Sequence, residues 1–137
     1  DYNKAIEINP QYAPAYTSRC GAKTKLGNNK AAIKDCNKAL EIDPTFPFAY
    51  SNRGVAKNKL KDYQGAIADY SNAIEINPQD AGAYNNRGIA KYALIGFKGV
   101  CVECCDDWKK ALSLGFETTA LMFSESKLDL GWCLNLQ

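Results

Sequence analysis

Small and apolar residues recur at helical spacing in short stretches, and Gly, Asn, Asp and Pro punctuate them. Residues 15–26, running Ala15-Tyr16-Thr17-Ser18-Arg19-Cys20-Gly21-Ala22-Lys23-Thr24-Lys25-Leu26, read as one amphipathic helix. Gly27-Asn28-Asn29 breaks that pattern, and Lys61-Asp62 stand in the matching place further on. Gly and Asn suit a left-handed helix stop, and Asn29 or Asp62 is placed to cap the helix that follows. A second helix is predicted from Ala32-Ile33 to Ile42, with Ala32, Ile33, Cys36, Ala39 and Leu40 on one stripe. It must end before Pro44, because a proline disfavours the helical conformation in the residue preceding it.

The pattern returns along the chain. Asn9-Pro10, Asp43-Pro44 and Asn77-Pro78 recur every 34 residues. Tyr16, Tyr50 and Tyr84 share that spacing, as do Arg19, Arg53 and Arg87, and Lys23, Lys57 and Lys91. So do Asp1, Asp35 and Asp69 in the second half of each unit, with Ala5, Ala39 and Ala73. Gly54, Gly88, Ala66 and Ala73 remove bulk where helices would cross, while Tyr50, Leu60 and Tyr70 fill the remaining space. No unit can bury its apolar stripe alone, so neighbouring units must stack.

The order Tyr16, Cys20, Lys23, Ala32, Cys36, Ala39, Pro44, repeated better as Tyr50, Gly54, Ala66, Tyr70, Ala73, Pro78, resembles the tetratricopeptide repeat family. The third unit opens the same way with Tyr84, Gly88 and Leu94, so the resemblance covers roughly residues 1 to 115. It implies one all-α domain over 1–137, a right-handed α–α superhelix of about three and a half helix pairs with a C-terminal capping helix. The implied divisions are 1–12 (second helix of a truncated repeat), 13–46, 47–80, 81–117 (a divergent repeat) and 118–137 (capping helix and tail). The family's first helices line a concave groove that takes a peptide or a partner's helix. Here that face would present Thr17, Lys25, Ser51, Asn52, Asn58, Lys59, Asn85, Asn86 and Tyr92. Asn can grip both backbone groups of an extended peptide and Lys supplies charge for a carboxylate, so a partly acidic segment is the expected ligand. A subfamily that clamps the carboxylate tails of heat-shock chaperones uses a fixed Lys/Asn/Lys/Arg set. Thr17, Gly21, Gly82 and Asn86 stand at those places, with only Asn52 fitting, so no such clamp is expected.

The chain departs from the family twice. Arg19, Arg53 and Arg87 replace the usual Leu and are expected to reach acidic residues of the second helices, Asp35 and Asp69 being the candidates. If Trp108 and Ala111 play the parts of Tyr70 and Ala73, about four extra residues lie within 99–106. The last helix would then start early or bulge by about one turn. Thr118 to Leu130 is expected to form the capping helix.

Composition narrows the chemistry. With 17 basic and 15 acidic residues the net charge is +2, which argues against nucleic acid as the main partner. No apolar run of about 18 residues exists to span a membrane, and the first residues show no signal-peptide pattern. The only Met is Met122, so an excised piece beginning inside a second helix is expected. Absence of His removes triad hydrolysis and mixed Cys/His zinc sites. The six Cys read as reduced thiols of a cytoplasmic protein, with Cys101, Cys104 and Cys105 acting as small apolar helix residues. Cys20 and Cys36 stand at packing positions of one unit, where a reducing cell disfavours a disulfide. No enzyme activity, cofactor or metal is expected, and the function is that of a scaffold binding a protein or peptide. Two alternatives rank below it: self-association through exposed end helices, with Ile6 and Ile8 on an open stripe, and a redox or metal site at the Cys cluster.

Overall fold

Helix boundaries fall where the turn residues put them. The computed structural model describes residues 1–96, 98, 101–116 and 133. They form seven α-helices: α1 (Tyr2–Ile8), α2 (Ala13–Lys25), α3 (Asn29–Ile42), α4 (Pro47–Lys59), α5 (Tyr63–Ile76), α6 (Ala81–Leu94) and α7 (Val102–Ser113). No strand occurs among the described residues, and the expected capping helix over 118–130 lies outside them. Before each proline the chain turns extended, with φ of −136° at Asn9 and Asp43 and −129° at Asn77. Each of these side chains accepts a hydrogen bond from the backbone N–H two residues on, at Gln11, Thr45 and Gln79. This local turn gives the N–H of a turn residue beyond the helix an acceptor.

The tighter corner inside each pair uses a left-handed residue. Gly27 has φ +81°, and Asn28 N–H bonds back to the Lys23 carbonyl while Gly27 N–H bonds to Thr24. These are the two bonds of a Schellman stop. Lys61 makes the same turn with φ 65°, and its neighbour Asp62 bonds back to Lys57. Asp62 caps α5 through Gly65 N–H, as expected, but α3 is capped at Asn28 rather than Asn29, without a side-chain bond.

Helices pack in order, α2 on α3, α4 on α5 and α6 on α7, with α3 on α4 and α5 on α6 joining the pairs. The result is an all-α superhelix. Gly54 is where α4 meets the ring of Tyr70, and a Cβ there would sit 2.8 Å from that ring. Gly88 meets Trp108 in the same way on α6. The third pair thus repeats the second with Trp108 in place of Tyr70. Its four extra residues do not lengthen α7, which has 12 residues against 14 in α5; they fall between the end of α6 at Leu94 and the start of α7 at Val102.

The three Arg do more than the sequence suggests. Arg19 forks onto Asp35 through Nε and Nη2 at 2.8 and 2.7 Å, Arg53 onto Asp69 at 3.0 and 2.7 Å, and Arg87 onto Asp107 at 3.0 and 2.6 Å. The remaining Nη1 donates backwards to the preceding second helix: to Asn3, Asn37 and Ser71. Lys23, Lys57 and Lys91, one turn on, close onto the same carboxylates at 2.7 to 2.8 Å. Tyr16, Tyr50 and Tyr84 lie under the guanidinium groups at 5.5 to 5.6 Å. Burial raises the Asp35 carboxyl, but hydrogen bonds from Arg19 and Lys23 outweigh it and hold the group below the ordinary carboxylate range.

The cysteines overturn the reduced-thiol expectation. All six are paired: Cys20–Cys36 joins α2 to α3, Cys101–Cys104 spans the start of α7, and Cys105–Cys133 ties α7 to the chain's last segment. Facing positions on crossing helices bring the Cys20 and Cys36 Cα atoms to 5.5 Å, within the range a disulfide needs.

Three outcomes follow from this packing. Lys61→Gly relieves a left-handed side chain and raises unfolding stability by about 0.5–1 kcal/mol in urea titration; an unchanged or lowered midpoint would contradict it. Arg53→Ala leaves buried Asp69 with Lys57 as its remaining cation and costs about 1.5–3 kcal/mol, the range for lost hydrogen bonds to a charged group; a loss below about 0.5 kcal/mol would show that Lys57 and water replace the guanidinium. Asp35 has a folded pKa below its unfolded value of about 3.9, so its contribution is complete above that pH and fades as pH falls through the folded value. Stability is expected to drop on acidification below about pH 4, and Asp35→Asn, though less stable at neutral pH, is expected to drop less; parallel curves would remove Asp35 as a source.

Candidate functional site

Packing decides which face is open. α2 lies on α4 and α4 on α6, whereas α3 and α5 have at most a marginal contact, so the first helices occupy the inner side of the curve. Their inner faces form the candidate groove, and the nine residues picked out from the sequence divide into three groups there.

Three are buried and do not present to a ligand. Thr17 and Asn85 are each 4% exposed and Tyr92 is 7% exposed. Tyr92 stands edge-on to Trp108 with ring centres 6.0 Å apart, where it closes the end of the core. Helix pairing claims these positions because a first helix contacts its partner and the next first helix at once, which leaves a narrow open strip.

Three others are engaged sideways. Asn52 donates from Nδ2 to the Thr17 carbonyl at 3.2 Å, and Lys59 donates from Nζ to the Thr24 carbonyl at 3.1 Å. Both bonds run from α4 to α2, and both span 35 residues. Asn52 fits because Gly21 has no side chain; a Cβ there would lie 3.2 Å from Asn52 Nδ2. Ser51 makes a long contact of 3.5 Å to Asp80, which caps α6 through Ala83 N–H. These polar groups therefore stitch the floor of the groove, and their grip on a ligand is correspondingly reduced.

Lys25, Asn58 and Asn86 remain. Lys25 is exposed, and Asn58 and Asn86 are half-buried. None of the three forms a side-chain hydrogen bond or ion pair among the described residues; Asn58 Oδ1 is shielded from solvent without a partner. Lys59, exposed and holding only a carbonyl, keeps its charge for the groove. Sequence reasoning missed Phe48, which is 60% exposed and sits one helical turn before Asn52 on the same face of α4. A large aromatic at the first turn of a groove helix, where the neighbouring units carry Pro14 and Gly82, was the available signal.

The Cys cluster lies apart from this face. Cys101, Cys104, Cys105 and Cys133 gather with Tyr92 and Trp108 in one buried group at the end of the stack. Among the described residues no set of three or more His, Cys, Asp and Glu comes together to hold a metal ion, and no helix is long and apolar enough to cross a membrane.

Comparison with known proteins agrees with the architecture. A tetratricopeptide repeat family model matches residues 47–80, and one described as a TPR repeat matches residues 22–61. Among curated proteins none matches. The Arabidopsis OM64 TPR domain superposes with a TM-score of 0.73 at 26% identity, covering 85% of this chain and 93% of that one. The first TPR domain of human RPAP3 gives 0.74 at 27% identity, covering 94% of this chain and 100% of that one. The first TPR of Spaghetti (RPAP3), solved bound to the HSP90 peptide SRMEEVD, gives 0.70 at 24% identity over 83% and 94% of the two chains, a likeness of fold alone. The unit of 34 residues, the helix pairs it folds into and the family models matched within residues 22–80 together support a tetratricopeptide repeat protein.

Proposed function

We propose that the inner face of α2, α4 and α6 holds an extended peptide segment carrying one or more carboxylates and an apolar side chain. One observation carries the reading. On a molecule whose Arg19, Arg53, Arg87, Lys23, Lys57 and Lys91 are all paired with buried Asp, Lys25 and Lys59 remain as outward cations at one end of the groove face, with Phe48 about three helical turns from Lys59 along α4. Two ammonium groups attract acidic side chains, Asn86 offers a donor and an acceptor to a peptide backbone and Asn58 its amide donor, and Phe48 offers a surface for one apolar residue.

The ligand differs from a chaperone tail. HSP90 peptide SRMEEVD is bound by a structural neighbour, Spaghetti. This chain has Thr17, Gly21, Gly82 and Asn86 where the tail-clamping subfamily has its fixed polar set, and its matching Asn52 is bonded to the Thr17 carbonyl. No terminal carboxylate is therefore gripped, and internal acidic segments are favoured.

An array of acidic-aromatic and acidic-aliphatic peptides, read by amide chemical shifts, is expected to perturb residues on α2, α4 and α6. The double variant Lys25→Glu, Phe48→Ala is expected to weaken the best binder roughly tenfold, from the loss of one ionic and one apolar contact. Peptides that shift only α3 and α5, or a best binder unaffected by the double variant, would place the binding surface elsewhere.

A further inference from the structure

We propose that Cys101 and Cys104 form a thiol–disulfide exchange site for small neutral or cationic aliphatic thiols. The three disulfides are unlike one another. Cys20–Cys36 and Cys105–Cys133 join residues 16 and 28 apart and tie separate segments together. Cys101–Cys104 joins residues three apart and closes the smallest loop, so it constrains the unfolded chain least. The rest of the molecule does not need it as a staple.

Its place gives it reactivity. Cys101 is the N-cap of α7, a helix of 12 residues, and its carbonyl accepts the N–H groups of Cys104 and Cys105 at 3.1 Å. The sulfur of an N-cap residue lies at the positive end of the helix, where a thiolate is favoured over a thiol. Lys91, held by Asp107, also donates to the Glu103 carbonyl at 3.3 Å and brings an ammonium group beside the same first turn.

Independently, the structure provides access. A cleft of about 330 Å³ is lined by Ile95, Cys101, Val102 and Glu103. Ile95 and Val102 form exposed apolar walls, Glu103 is the one charged residue of the lining among the described residues, and Cys101 borders the space. Cys104 is fully buried behind it. The two residues are thus unequal: Cys101 keeps 9% of its surface exposed and lines the cleft, whereas Cys104 keeps none.

The exchange balances as follows. A thiolate from outside attacks Cys101 Sγ, a new S–S bond forms, and Cys104 departs with the electron pair and takes a proton from water. A second thiolate then attacks the outer sulfur of the mixed disulfide and releases Cys101 as thiolate. Two thiols are oxidised to one disulfide, and the protein disulfide is reduced to a dithiol. The Glu103 carboxylate disfavours an anionic thiol in the cleft, so cysteamine is favoured over mercaptoacetate.

The full oxidised chain would be treated with each thiol at equal thiolate concentration, quenched by alkylation and mapped by mass spectrometry. Cys101–Cys104 is expected to open at least about tenfold faster than Cys20–Cys36, whose sulfurs are both buried. Cysteamine is expected to outpace mercaptoacetate, and Glu103→Gln to narrow that difference. Cys104→Ser, given the disulfide cystamine, is expected to carry one cysteamine on Cys101 with one cysteamine released as the leaving thiol; if this variant does not fold, the two rates in the unmodified chain decide. Equal opening rates, an adduct on another cysteine, or Cys101 and Cys104 persisting as thiols in the oxidised folded chain would each overturn the proposal.

Discussion

A guanidinium shared among three helices sets the geometry of the whole array. Each Arg forks onto a buried Asp of its partner helix and uses its remaining nitrogen on the second helix of the unit before. The partners on the backward side, Asn3, Asn37 and Ser71, are again spaced by 34 residues. Apolar packing of Ala, Gly and aromatic residues is tolerant of small slides between helices. A forked ionic bond with a fixed third contact is not, because a carboxylate displaced from it stays buried and unpaired. The hydrophobic stripes make the helices stack, and the Arg–Asp ladder determines at which register they do so.

That division explains what the sequence revealed. The period, helix ends and the Arg19–Asp35 and Arg53–Asp69 partners were legible, because each depends on residue spacing within or between identical units. The third partner, Asp107, follows once Trp108 is aligned with Tyr70. Side-chain destinations on the groove face were less legible. Asn52 and Lys59 have the character of ligand contacts, yet both turn to carbonyls of α2. Only the distance between α2 and α4, which spacing along the chain does not encode, settles that choice. Thr17, Asn85 and Tyr92 were misplaced for a related reason: helical periodicity says which face a residue is on, but not how wide the open strip of that face is. The cysteines failed differently. The reduced state follows from the sequence only through the compartment that a chain without a short, loop-rich cysteine framework suggests, whereas the fold puts Cys20 opposite Cys36 whatever the compartment.

The groove inherits its chemistry from what the ladder uses up. Three Arg and three Lys are consumed in neutralising three buried carboxylates. Side chains that hold neighbouring first helices together occupy the floor. What is left for recognition is sparse: two ammonium groups, two amides and one aromatic ring. Under the function proposed above, such a surface takes a short linear segment read by charge and one apolar contact, and the stitching beneath it is complete before the segment arrives.

Seven residues separate α6 from α7 where three separate α4 from α5, so chain length and helix register are independent at this edge of the array. Extra residues there leave Arg87 on Asp107 and Gly88 against Trp108, just as the shorter corner leaves Arg53 on Asp69 and Gly54 against Tyr70. New chemistry, a cysteine pair at a helix start included, can therefore be added at the turn between paired helices while the scaffold's geometry stays as it was.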